Sequence, residues 1–218
     1  IKEKNADISI CNFIVTDGNA IYKKNTKAEE KLYSKGEFMK IILRVNSNRC
    51  IHYAWGKLYK KDVIDKNEHY PVGMLNEDVE GMFKAVLKSE KIAETNKIGY
   101  FYYENSESIS RKKFGENFLS LHHVLEISQN SAPEYVDYVK YNLIRSDFTI
   151  LVDMILYGDK ETDNIFSIER KNINKRLKTN IGILLKSPMQ IKRKILMLLV
   201  CYFYLPIRFM VRTIKNRK

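Results

Sequence analysis

"HYPVGMLNEDVEGMFKAVL", residues 69–87, decides how this chain is read. Pro71 and Gly73 mark a loop, and Asn76 precedes two acids, Glu77 and Asp78, that open an apolar-periodic run. Val79, Met82, Phe83 and Val86 recur at helical spacing, which predicts a helix over about 76–89 with one core face. Asp78 lies one position before that face and stacks with Met82 and Ala85, so it is expected at the rim of the core. Glu77 falls on the side of Glu80 and Lys84. Glu80, four residues before Lys84, reads as a solvated ion-pair partner. A helix N-terminus favours negative charge by about 0.3–1 kcal/mol. That keeps an acid ionised at neutral pH even where partial burial pushes its pKa up. An ionised carboxylate at a cleft rim, fed by a Pro/Gly loop, suits a general base. The plain alternative is a pair of first-turn acids with Asn76 as cap.

Outward from this stretch, the 218 residues suffice for one good-sized core, or one domain plus an appendage. Cys11, Cys50 and Cys201 lie far apart and form no C-x-x-C pair. This argues against a disulfide framework or a zinc site and fits a reducing cytosol. His52, His69, His122 and His123 are too scattered for a metal cluster. Charge is unevenly placed. No acid follows Glu169, whereas 14 Lys and Arg lie between Arg170 and Lys218. Of the total net charge of +12, residues 1–169 therefore hold −2, from 24 basic against 26 acidic side chains. A near-neutral body with a basic tail needs an anionic partner.

The chain is predicted to be α/β first and α-helical afterwards, with the break near 110. "ADISICNFIV" (6–15) is apolar, β-branched and short enough for a buried strand. "TDGN" (16–19) is a turn, and "AIYKK" (20–24) is a candidate second strand. Residues 34–45 have helical spacing. Residues 52–64 read as a short buried segment, a Gly and the start of a helix, and "KIGYFYYEN" (97–105) as an aromatic strand. Helical patterns then cover about 114–129, 133–158, 163–179 and 188–215, with Pro133 and Pro188 at first-turn positions. Three pieces are expected: 1–110, 111–185 and 186–218. The chain opens at Ile1 on a polar tail running straight into a strand, as the middle of an α/β domain does, so a preceding segment of a longer protein is expected.

"WGKLYKKDVI", then "YPVG", then "NEDVEGMFKAVLKSEKIA", then "YFYYENSESIS" resembles the second half of bacterial family-2 glycosyltransferases, GT-A enzymes many of which build capsule or other surface polysaccharides. The family pattern is W-x-K-L-[YF]-[KR], an aromatic-P-x-G loop, an E-D pair opening a helix, and a strand ending in a tyrosine run. Trp55, Lys57, Leu58, Tyr59, Lys60, Tyr70, Pro71, Gly73, Glu77, Asp78, Tyr100, Tyr102 and Tyr103 match it. The likeness covers about residues 1–110, and its specificity lies in the order and spacing of the motifs. Glu104 stands where the family commonly has an Arg, which tells against a phosphate contact there, although Arg111 and Lys112 are near. The donor-half motifs V-D-D-G-S and D-x-D are absent. "VTDGN" (15–19) echoes the first only superficially, because it follows the matched strand.

The resemblance implies a partial GT-A mixed sheet followed by an α-helical region, and transfer of a sugar from a nucleotide-sugar to a saccharide or lipid-linked acceptor with inversion. It implies Asp78 as the base, Glu77 as an orienting neighbour, Trp55 as an apolar face for a sugar ring, and Lys57 and Tyr103 as substrate contacts. A core Trp and a solvated Lys are the alternatives at 55 and 57. Mg or Mn would be held mainly by the absent half, and no metal ligands are expected in these residues.

"KSPMQIKRKILMLLVCYFYLPIRFMVRTIKNRK" (186–218) holds an uncharged apolar run, Ile195–Ile207, of 13 residues. That is shorter than the roughly 20 needed to span a bilayer. Flanked by Lys192, Arg193, Lys194, Arg208 and Arg212, it reads as a helix lying on an anionic membrane surface, which suits a cytoplasmic protein peripheral to the inner face of the plasma membrane. A core helix covering the body is the alternative. No nucleic-acid partner is expected, because the tail's aromatics sit inside the apolar run rather than interleaved with basic residues. Two rival functions stand beside transfer. One is a non-catalytic basic adaptor at a membrane. The other is a hydrolase using Glu77 and Asp78, disfavoured because adjacent helical residues diverge by about 100°.

Overall fold

A computed structural model describes residues 2–18, 27–45, 47–64, 69–74, 76–103 and 119–215, with Leu119 by its backbone alone. The candidate strand at 20–24 and the positions Glu104, Arg111 and Lys112 lie outside the described residues. The class is mixed α/β. The chain divides into two units, one of residues 1–42 and 49–112, the other of 43–48 and 113–218. The segment from 186 onward, expected as a separate piece, belongs to the second.

The first unit is built on a four-stranded sheet. Its strands are β1 (Ile8–Thr16), β2 (Glu30–Ser34), β3 (Lys57–Tyr59) and β4 (Lys91–Tyr103), in the order β2-β4-β1-β3. β1 and β4 run parallel at its centre, while β2 and β3 pair antiparallel at the edges. Parallel neighbours need a crossover, and the intervening chain supplies it with two helices, α1 (Lys35–Ile42) and α2 (Glu77–Leu87). Ile8 and Ile92 sit opposite each other, and Ile10 follows two residues on, so all three share one face. They form the buried core of this unit with Phe38, Met39 and Ile42 of α1 and Met82, Phe83 and Val86 of α2. Ser9, Ala93, Leu32 and Leu58 alternate onto the other face, where Leu32 and Leu58 are exposed.

Three departures from the sequence reading have local causes. Glu30–Ser34 is a strand although "EKLYS" carries little apolar pattern, because an edge strand with exposed faces needs none. Lys57–Tyr59 is a strand rather than a helix start. Gly56, at φ 68°, turns the chain so that Lys57 meets Ile10, and a 3-10 turn (Lys61–Val63) follows. β4 begins at Lys91, earlier than the aromatic run, because its polar first half pairs with β2.

The second unit is helical: α3 (Leu119–Ser131), α4 (Val136–Tyr157), α5 (Lys160–Ile165), α6 (Ser167–Leu185) and α7 (Ile191–Lys215). The stretch predicted to run through 163–179 is two helices. Asp159 caps α5 in a reciprocal pair with Thr162, and Phe166 breaks the run before α6. The core joins Phe148, Leu151 and Met154 of α4, Ile173 and Leu177 of α6, and Met197, Val200, Cys201 and Tyr204 of α7. Asp147, fully buried, accepts two hydrogen bonds from the Arg176 guanidinium at 2.6 and 2.7 Å. Arg145 secures residues 43–48 to α4, donating to the carbonyls of Arg44 and Ser47 and to Asn48 Oδ1.

Candidate functional site

The N-terminus of α2 gathers three separate sequence motifs. Asn76 takes the left-handed conformation (φ 58°, ψ 34°) and its side chain makes no capping bond, so the cap expected from the sequence is absent. The Val79 N–H at the start of the helix donates to the Asn76 carbonyl at 3.0 Å. Glu77 is exposed, while Asp78 is half-buried. Burial raises the Asp78 carboxyl above the ordinary aspartate range. The Glu77 charge adds to this, and the helix N–H groups and Lys57 oppose it.

Lys57 and Tyr59, two apart on β3, share a face. Burial pulls the Lys57 amine down to about 8, although the Asp78 charge resists this. The Lys57 Nζ donates to the Tyr53 carbonyl and lies 3.7 Å from the centre of the Tyr53 ring. Tyr59 Oη meets Met82 Sδ at 3.7 Å, and burial together with the charges of Tyr70 and Asp78 raises its phenol. Tyr70, from the Pro/Gly loop, lies directly over Gly81. A Cβ there would come within 2.3 Å of Tyr70 Cε1. The Tyr70 phenol is raised by burial and then by the charges of Asp78 and Glu77. The structure thus brings Asp78 and Lys57 together and adds Tyr59 and Tyr70. The i,i+2 spacing of Lys57 and Tyr59 was the signal for the first of these.

Glu80 forms the expected pair with Lys84, at 2.6 Å, but it is buried rather than solvated. Tyr70 covers α2 beside it, so this helix buries more than the single face its periodicity marks.

Trp55 does not offer an open face. Tyr53 stacks on it at 3.9 Å and 13°, and Tyr100 at 4.7 Å and 15°. Two near-parallel rings this close would collide on one side, so they occupy opposite faces. Phe13 meets the indole edge-on at 4.7 Å. Register shifts in the β1–β4 pairing, between Ile10 and Phe13, aim Phe13 and Tyr100 at this cluster. Gly99 belongs to the same irregularity; a Cβ there would press within 2.8 Å of Cys11 Sγ. A hollow of about 440 Å³ runs along Ser9, Cys11, Gly56, Lys57, Gly99 and Tyr100, and Asp78 is not in its lining. Tyr103 is exposed at the end of β4.

No group of three or more His, Cys, Asp or Glu able to hold a metal ion occurs among the described residues.

In the second unit, only part of the predicted basic rim of α7 faces outward. Lys192 is exposed, and Lys194 bonds the Leu185 carbonyl at 2.6 Å. Arg193 is half-buried and donates to Thr149 Oγ1. Arg208 is buried, donating to the Ile155 and Asp159 carbonyls and to Asp163, and Arg212 also bonds Asp163. The assignment of Arg208 to a membrane surface is thereby corrected. It lies four residues after Tyr204 on the packed stripe of α7, where acceptors at the end of α4 and on α5 meet its two terminal nitrogens. The helix is 25 residues long and, by length and composition only, could cross a membrane, which the 13-residue run alone did not suggest.

No protein-family model matches this chain, and no curated protein matches it.

Proposed function

We propose that this chain supplies the acceptor side of an inverting glycosyl transfer, with Asp78 as the base. One observation carries the reading. Lys57 and Tyr59 of the W-x-K-L-Y stretch and Tyr70 of the Y-P-x-G loop each lie within reach of the charge of Asp78, from the E-D pair, at one helix N-terminus. On this reading the sheet is the acceptor-side half of a GT-A domain.

The Asp78 carboxylate accepts the proton of an acceptor hydroxyl as that oxygen attacks the anomeric carbon. The bond from that carbon to the nucleotide diphosphate breaks, and the configuration inverts. A carboxylate raised above the ordinary aspartate range by burial is a stronger base than a solvated one. Lys57 holds the charge of Asp78 and offers a donor to sugar oxygens. Exposed Glu77 accepts from a second acceptor hydroxyl. Trp55, stacked on both faces, braces the Tyr53–Lys57 wall instead of holding a sugar. Tyr103 is a solvent-side contact. The donor is a nucleotide-sugar whose Mg or Mn would be held by residues other than these, and the acceptor is a saccharide or lipid-linked saccharide. A membrane-surface protein without catalysis is the second reading, favoured by the outward face of α7.

Saturation-transfer NMR with a panel of oligosaccharides tests the proposal. Binding weakened by Asp78→Asn and Glu77→Gln, in chains of unchanged melting, supports it; no saccharide bound at millimolar concentration overturns it. No turnover is expected from these residues alone, because donor motifs are absent from them.

A further inference from the structure

α7 carries two apolar stripes. Met197, Cys201, Tyr204 and Arg208 follow one another at four- and three-residue steps and face the core of the second unit. Ile195, Leu199 and Tyr202 form the opposite stripe, widened by Leu196; beyond the kink at Phe203, where the backbone leaves the helical region (φ −124°, ψ 34°), Phe209 is exposed as well, and every one of these six is at least 42% exposed. A helix that is apolar all round is ordinarily covered on every side, and this one is covered on one. Phe209, at 74%, is among the most exposed large apolar side chains described.

Beside this stripe α6 and α7 enclose a hollow of about 220 Å³. Arg170 and Lys178 stand on its α6 side, and Tyr202, Tyr204 and Pro206 on its α7 side. The Arg170 guanidinium lies 4.9 Å from the Tyr204 ring, and the Lys178 ammonium 5.2 Å from that of Tyr202. Tyr204 is 4% exposed, and its hydroxyl has no hydrogen-bond partner among the described residues; the Oδ1 of Asn174, which also lines the hollow, has none among them either. Arg170 and Lys178 therefore place two cations along a hollow whose lining also offers the Tyr204 hydroxyl and the Asn174 side chain, while the Asp163 carboxylate, whose charge also reaches Tyr204, is held by Arg208 and Arg212.

We propose that this face docks in the plane of an anionic phospholipid surface, the outward stripe entering the acyl boundary and the α6–α7 hollow receiving a lipid phosphate. Charge complementarity selects this occupant, since no acid occurs from Arg170 to Lys218. The helix lies flat and does not cross. Crossing would strip Met197, Cys201 and Tyr204 from the core and carry Arg208 away from Ile155, Asp159 and Asp163. The proposal rests on the membrane-surface reading and is independent of glycosyl transfer.

Co-sedimentation of the full chain with phosphatidylcholine vesicles, with and without phosphatidylserine, tests it. Binding is expected only with phosphatidylserine. Leu199→Glu with Phe209→Glu, both at exposed positions, should lower the partition coefficient at least tenfold, and Lys178→Gln about fivefold, with far-UV circular dichroism and melting unchanged. If the wild-type chain binds no vesicle, the membrane-surface reading falls and this proposal with it. If it binds and the variants bind equally, the reading survives and the assignment of this face is overturned. Two further results overturn it: self-association in sedimentation equilibrium that the same variants abolish, or inorganic phosphate bound by a chain that binds no vesicle.

Discussion

Arg208→Ala is the sharpest test of the described packing, because sequence and structure give this residue opposite roles. As a rim cation it would cost nothing to remove from the fold. In the structure it is 4% exposed, and its guanidinium spans three acceptors: the Ile155 carbonyl at 2.6 Å, the Asp159 carbonyl at 3.2 Å and Asp163 Oδ1 at 3.2 Å. A hydrogen bond involving a charged group contributes about 1.5–3 kcal/mol. Only the Ile155 bond is short and buried enough to count in full. The Asp163 side chain is 31% exposed and keeps Arg212 at 2.7 Å, so its share is discounted for solvent. The expected loss is about 3 kcal/mol, read by urea denaturation under far-UV circular dichroism and linear extrapolation. Lys192→Ala, at an exposed position, should change stability by less than about 0.5 kcal/mol. Arg208→Lys keeps the charge but not the planar fork, and should recover less than half of the loss. An Arg208→Ala loss below about 1 kcal/mol would refute the packing of α7 described above.

Other expectations follow from the first unit. Asp78→Asn should raise stability at neutral pH, because the native carboxyl is shifted upward: the penalty on its ionised form is absent below the unfolded pKa and grows as pH rises through the folded one. On the proposed reading the same change should lower glycosyl transfer by about 10²–10⁴-fold, the usual range for a lost general base. Glu94 behaves oppositely. Burial raises its carboxyl, but Arg49 and the Tyr33 hydroxyl outweigh it and hold the pKa low. Its stabilisation is full above the unfolded value and lost as pH falls through the folded one, so Glu94→Gln should flatten the acid limb of a stability-versus-pH curve. The Lys57 amine, lowered to about 8, predicts stability rising between about pH 8 and the ordinary lysine pKa of about 10.4, an increase that Lys57→Met removes. Gly81→Ala should cost about 1 kcal/mol net, overpacking against Tyr70 outweighing the gain in helix propensity, and the cost should vanish in a Tyr70→Ala background.

Sequence alone was enough for the first buried strand, the acidic helix and the long C-terminal helices, because hydrophobic period is a local property. Ile8 and Ile10 alternate, and Met82, Phe83 and Val86 recur at helical steps. It also placed Asp78 at the rim of the core, since the angle between neighbouring helical residues is fixed by backbone geometry. Only the tertiary structure decided what covers each position. β2 took its strand form from β4, not from its own polar residues. Glu80 is buried although periodicity places it on the solvent side, and Tyr70 from a loop about ten residues earlier covers neighbouring Gly81. Trp55 lost both faces to Tyr53 and Tyr100, the second far away in the chain. Arg208 turned inward because acceptors at the end of α4 and on α5 meet it there. Periodicity states which way a side chain points along its own element; burial and pKa depend on what distant residues bring to that side, and a local pattern carries no record of them.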